Sequence, residues 1–139
     1  MRLVNSKYIT AQGKTKLLQL GFQNNTSGQF RYLALGGEGS NAAVMEDAAN
    51  FYEISGENYQ RVPLEQEGNA NNNTQSITLS AIFEDTNYNP SSGGIIKEIA
   101  IVDNDEASSN DTFFAFAQVP EISKTDNISL KYTIIISIL

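Results

Sequence analysis

The chain has no cysteine, no histidine and no tryptophan. Without cysteine there are no disulfides and no thiolate metal ligands. Without histidine, imidazole catalysis and the usual transition-metal sites are also excluded. Basic residues are scarce: 9 Lys and Arg stand against 16 Asp and Glu, a formal charge of -7. They form no cluster, so the basic footprint of a nucleic-acid binder is missing. No apolar run approaches the ~20 residues of a membrane span. The segment Met1-Arg2-Leu3-Val4-Asn5-Ser6-Lys7 lacks the apolar core of a signal peptide, so nothing points to classical secretion. What is present is a chain of 139 residues, long enough for one hydrophobic core and read as a single domain over 1–139.

The most ordered stretch is Gly93-Gly94-Ile95-Ile96-Lys97-Glu98-Ile99-Ala100-Ile101-Val102-Asp103. Two glycines permit a turn, and the β-branched run after them favours a strand. Alternation puts Ile96, Glu98, Ala100 and Val102 on one face and Ile95, Lys97, Ile99 and Ile101 on the other. Both faces are mostly apolar, which predicts a central strand covered on both sides. Glu98 among such neighbours is costly to bury unless a cation or several N–H groups meet it.

Elsewhere, residues 1–9 make a poor strand. Thr10 can cap a short helix through Lys14, Leu17 and Leu18 with Gly21 at its end, although Gly13 weakens it. Residues 30–35 read as a strand stopped by Gly36-Gly37, and residues 38–50 as a long loop with one helical turn. Two short strands are expected at 51–54 and 59–64, and Pro63 restricts the second to an edge. Gly68 to Thr74 is a polar loop or hairpin tip. Ser76 to Phe83 is the cleanest amphipathic strand, with Ile77, Leu79, Ala81 and Phe83 inward. Residues 113–117 form a buried strand closed by Pro120. The last stretch sets Leu130, Tyr132, Ile134, Ile136 and Ile138 on one face and Ile135 and Leu139 on the other. The prediction is an all-β fold: an antiparallel β-sandwich or partly closed barrel of about seven short strands, with at most one short helix.

Taken in order, several short motifs stand out. They are Thr10-Ala11-Gln12-Gly13-Lys14, then Tyr32 to Gly36, then Gly56-Glu57-Asn58-Tyr59-Gln60-Arg61-Val62. The amphipathic strand Ile77 to Phe83 follows, then Ile96 to Asp103, then the Phe/Ala-rich Phe113 to Ala117 and the apolar Leu130 to Ile138. In this order they resemble a bacteriophage virion domain found in tail-fibre, tail-collar and baseplate-associated proteins. The sequence departs from that pattern at Ala100, where glycine is usual, and at Val102, where Phe is common. The resemblance implies a virion structural protein working through contacts with other virion proteins. Beside it stands a physical expectation. Arg61, whose guanidinium can grip a carboxylate bidentately, is the natural partner for Glu98. The alternatives are local pairing of Arg61 with Glu57 or Glu65, or exposure to solvent.

Asp103, Asp105, Glu106 and Asp111 offer hard oxygen ligands suited to calcium, but without EF-hand spacing they read first as a solvated acidic turn, and no cofactor is expected. Glu84-Asp85 and Glu46-Asp47 read the same way. No feature selects two carboxylates for glycoside hydrolysis, and there is no nucleophile–base set. Tyr52, Tyr59 and Tyr88 are candidates for a sugar-binding face. Two function classes therefore compete: a non-enzymatic phage structural module of the tail, collar or fibres, and a carbohydrate-binding β-sandwich for host attachment. On the first, the protein resides in the virion after synthesis in the host bacterial cytoplasm. It forms a homo-oligomer (a trimer or ring) through Ile135 and Leu139, with no nucleic-acid or membrane partner.

Overall fold

The computed structural model describes residues 2–3, 9–22, 29–37, 51–56, 58–71, 73, 75–88, 94–108 and 111–137. The expected loop at 38–50, the Glu46-Asp47 pair and Leu139 lie outside them. In chain order the elements are β1 (Arg2–Leu3), α1 (Ala11–Phe22), β2 (Tyr32–Gly36), β3 (Val62–Pro63), β4 (Glu65–Gln66), β5 (Ser76–Phe83), β6 (Gly94–Val102), β7 (Phe113–Lys124) and β8 (Leu130–Ser137). They form two four-stranded sheets: a terminal sheet of order β1-β8-β5-β4 and a central sheet of order β3-β2-β6-β7. Every strand pairing is antiparallel except the two-residue β1, which runs parallel to β8. The expected all-β sandwich with one short helix is the architecture found. The sheets do not close into a barrel.

The period-2 pattern explains the packing. β5 and β8 turn Ala81, Phe83 and Ile134 inward, where they meet Leu33 and Leu35 of β2 and Ile101 of β6 in one cluster between the sheets. A second cluster of Ala34, Phe51, Ala100, Val102 and Phe116 covers the other face of the central sheet. β6 is therefore buried on both sides, as its two apolar faces predict. The simple alternation fails at its start, however. A bulge lies between Ile96 and Glu98, so Ile96 packs with Ile99 and Ile101, while Ile95 is exposed.

Three further expectations need correction. Pro120 does not close β7, which continues to Lys124. The bulge opposite Lys97 absorbs the proline, and β7 is an edge strand, where a missing N–H costs no ladder bond. The segment 51–54 contributes only one bridge, Glu53 to Gly36, and 59–64 shortens to Val62–Pro63. Residues 1–9, a poor strand by pattern, still supply β1.

The helix is where the capping signal placed it. The Thr10 hydroxyl accepts the Gly13 N–H at 2.9 Å and donates to the Phe113 carbonyl. Gly13, which weakens the helix by propensity, is required by packing. A Cβ there would sit 2.4 Å from the Phe114 carbonyl oxygen. The first turn of α1 thus rests directly on the backbone of β7.

Candidate functional site

The free edge of β2 organises the polar centre of the molecule. No single strand covers it. Val62–Pro63 pairs with Tyr32 and Leu33, and farther along Ile54 N–H bonds the Leu35 carbonyl while Gly37 N–H bonds that of Tyr52. The Leu35 N–H, left between these partners, donates to the Tyr59 hydroxyl at 3.0 Å. That hydroxyl in turn donates to Glu53 Oε1 at 2.7 Å.

Arg61 lies beside this gap, its side chain about 1 % exposed. Nε donates to Glu53 Oε1 at 2.7 Å and Nη2 to Glu53 Oε2 at 2.6 Å, a bidentate fork. Nη2 also reaches Asp111 Oδ2 at 2.8 Å, and Nη1 reaches the carbonyls of Asn104 and Glu106 at 3.0 and 3.2 Å. All five guanidinium N–H groups therefore have acceptors. The ring of Phe113 lies below, 5.9 Å from the guanidinium carbon. Burial disfavours the charge on Arg61, but Glu53 and Asp111 outweigh it and hold its pKa above the ordinary arginine value. Burial likewise pushes Asp111 upward. The Arg61 hydrogen bond, the Ser108 N–H, the Asn104 amide and the Arg61 charge overcome it, so the carboxyl is held below the usual aspartate value. Burial first, then the charge and hydrogen bond of Glu53, keep the Tyr59 hydroxyl far above the tyrosine range.

The expected Arg61–Glu98 pair is therefore not the one formed. Arg61 precedes Val62, which lies opposite Leu33, whereas Glu98 lies opposite Gly36, farther along β2 and across it. Glu53 also stands opposite Gly36, but on the Arg61 side, and intercepts the guanidinium. The fully buried Glu98 instead passes over Gly36 and accepts the Tyr52 N–H at 3.1 Å. A Cβ at Gly36 would lie 2.3 Å from Glu98 Cγ. Glycine here makes room for the carboxylate.

The acidic loop is also corrected. Asp103, Asp105, Glu106 and Asp111 do not converge as a cation cage, and no metal-holding group of carboxylates occurs among the described residues. Asp111 and the loop carbonyls turn to Arg61, so a guanidinium holds the place a cation would take. Asp103 Oδ1 accepts the Thr112 N–H at 2.9 Å, closing the loop, while Asp105 and Glu106 are exposed. Of the three tyrosines, Tyr59 and Tyr88 pack edge to face at 6.0 Å and only Tyr52 is largely exposed. Ile135 is half-buried opposite Thr78, in a row with the exposed Lys131, the half-buried Thr133 and the buried Ser137.

Sequence reasoning misses Glu53 and the buried Lys124. Glu53 carried a usable signal, a lone acid inside Phe51-Tyr52-Glu53-Ile54. Lys124, drawn down by burial against the pull of Asp85 and Asp126, closes the register with Gly94 and follows no local pattern.

A cleft of about 340 Å³ opens beside the Arg61 cluster, lined by Glu53, Ile54, Tyr59, Asp105, Glu106 and Ala107 among others. Its buried charges, Arg61 and Glu53, are mutually satisfied rather than poised, while the Asp105 and Glu106 side chains are exposed at its rim. Arg61 has no donor to spare, and a tyrosine hydroxyl that keeps its proton is no base. The arrangement fastens Asn104, Glu106 and Asp111 to Arg61, and Glu53, Tyr59 and Arg61 to the β2 edge. No protein-family model matches the chain, and neither a curated protein nor a solved structure matches it.

Proposed function

We propose that this protein is a bacteriophage virion structural module, associated with the tail, collar or fibres, that acts by protein–protein contacts within a homo-oligomer. One observation carries the reading beyond resemblance. The residues that make up the resembling motifs are those the scaffold consumes. Gly13 admits α1 to the Phe114 backbone, Gly36 underlies Glu98, and Tyr59 and Arg61 lock the β2 edge. Tyr59 and Arg61 line the cleft, but their polar groups are taken up by Leu35, Glu53, Asp111 and the loop carbonyls. The two most exposed large apolar side chains, Leu18 and Phe22 of α1, lie outside these motifs. Holding charge locks inside while offering apolar groups outside suits a part that assembles.

The test is to purify particles from cells that produce the chain and probe them by mass spectrometry and immunogold electron microscopy. The expected result is the chain present in several copies at the tail or collar. Absence from particles, together with glycan-array binding lost on Tyr52→Ala, supports instead the carbohydrate-binding module for host attachment.

A further inference from the structure

We propose that the exposed stripe of α1 docks into the acidic cleft beside Arg61 on a second copy of the chain, joining copies head to tail; this deepens the assembly reading and rests on it. The helix runs Ala11-Gln12-Gly13-Lys14-Thr15-Lys16-Leu17-Leu18-Gln19-Leu20-Gly21-Phe22, with no acidic residue. Gly13 faces β7. Spacing of four residues stacks Lys14, Leu18 and Phe22 along an exposed face, with Leu17 beside them. Leu18 is 60% exposed and Phe22 84%. Scattered exposed apolar residues are ordinary, but a stripe ending in an almost bare phenylalanine asks for a cover.

Charge selects the cover. The helix takes two lysines, which leaves 7 of the 9 basic residues against all 16 acidic ones for the rest of the chain. The fitting partner is acidic, with an apolar floor. The cleft of about 340 Å³ has that chemistry, with Ile54, Tyr59 and Ala107 in its lining and the exposed Asp105 and Glu106 at its rim. An anionic lipid surface would attract the lysines but repel the acidic remainder of the molecule.

Topology makes the contact intermolecular. Ile9 bridges Ala115, and the Thr10 N–H bonds the Phe114 carbonyl at 2.8 Å, on the edge of β7 that β6 does not use. α1 therefore lies on β7 through Gly13 with its stripe turned away from that strand, while the cleft is framed by residues 53–56 and 59–61 and by Asp105, Glu106 and Ala107 of the β6–β7 loop. Two different but complementary surfaces make a heterologous contact, which closes into a ring or extends as a filament.

The experiment is sedimentation velocity on the full chain across the micromolar range. Two double variants are compared, Leu18→Ser with Phe22→Ser and Asp105→Lys with Glu106→Lys. The unaltered chain is expected to grow in mass with concentration. Each variant should be monomeric, with self-association weakened at least about a hundredfold, while thermal unfolding shows it folded. Mixed one to one, the variants should form a discrete heterodimer and nothing larger, because the helix variant keeps a sound cleft and the cleft variant a sound helix. If the helix double variant fails to fold, Phe22→Ser alone, at the last helical residue, replaces it.

Monomeric behaviour of the unaltered chain throughout overturns the inference. So does wild-type association of either variant, or a mixture that stays monomeric. Binding of a monomeric chain to anionic lipid vesicles, lost in the helix variant, assigns the stripe to a membrane instead. Presence of the chain in particles is read separately. A chain found in particles yet monomeric in solution defeats this interface and leaves the assembly reading standing. An oligomer built as described but absent from particles does the reverse.

Discussion

Arg61 is the residue whose loss is felt most widely, because it ties two carboxylates and two backbone carbonyls to one planar group. Arg61→Lys keeps the charge but offers three donors from a single point, so part of this set loses its partner. Leaving a buried acceptor unpaired costs about 1–3 kcal/mol each, measurable by urea unfolding; a change under about 1 kcal/mol would show that the cluster holds nothing. Asp111 adds an acid dependence. Its folded pKa is depressed, so its stabilisation is full above about pH 4 and is lost as pH falls through the folded value. Asp111→Asn should lower stability at neutral pH and flatten the acid slope. Tyr59 works in the opposite sense. Its folded pKa is raised, so its contribution is intact below about pH 10 and is lost as pH rises further. Tyr59→Phe should cost about 1–3 kcal/mol at neutral pH and reduce the alkaline loss. Tyr132, also raised by burial, leaves a residual slope. Unchanged pH profiles in both variants would remove the titrations assigned to this cluster.

At the scale of the element, two glycines reverse ordinary expectation. Gly→Ala inside a helix usually stabilises by about 1 kcal/mol. At Gly13 the new methyl would meet the Phe114 backbone, which cannot rotate away as a side chain can. Gly13→Ala should therefore lower the melting temperature, while Thr15→Ala on the exposed face should leave it level or raise it. Equal stabilisation by both would mean that α1 does not rest on β7. Gly36→Ala should push Glu98 off the Tyr52 N–H and cost about 1–3 kcal/mol. These positions mark the limit of reading elements from sequence. The start of α1 was legible because Thr10 is a local cap, and β6 because both its faces are apolar. The need for Gly13 was not, since it arises from a strand a hundred positions away. The persistence of β7 past Pro120 was hidden for a similar reason: whether a proline breaks a ladder depends on which edge is free.

For the whole molecule, the sandwich was legible because its strands alternate cleanly, whereas the partner of Arg61 was not. Pairing depends on which segments flank the β2 edge, and Glu53 wins by standing on the near side of Gly36. The same scale bears on assembly. A last strand apolar on both faces suggested an interface through Ile135 and Leu139, but among the described residues that row of β8 is Lys131, Thr133, Ile135 and the buried Ser137, and its β5 neighbours are Thr78, the buried Ser80 and the exposed Ile82. Ile135 and Ile82 are separated by Thr133 and Ser80 and form no continuous stripe, and burying each contributes at most ~1.5–3 kcal/mol before association costs are met. α1 presents more, in one stripe and with charge of the sign its socket lacks. Ile135→Lys should then leave self-association within about threefold of the unaltered chain, while Leu18→Ser with Phe22→Ser abolishes it. Raising salt from 0.05 to 0.5 M should also weaken association, because in the proposed contact Lys14 of the stripe would meet Asp105 and Glu106 at an exposed rim where a Debye length of about 4–14 Å screens them. If Ile135→Lys alone yields monomers while the helix variant assembles and salt has no effect, the contact lies on the terminal sheet and the helix stripe has another purpose.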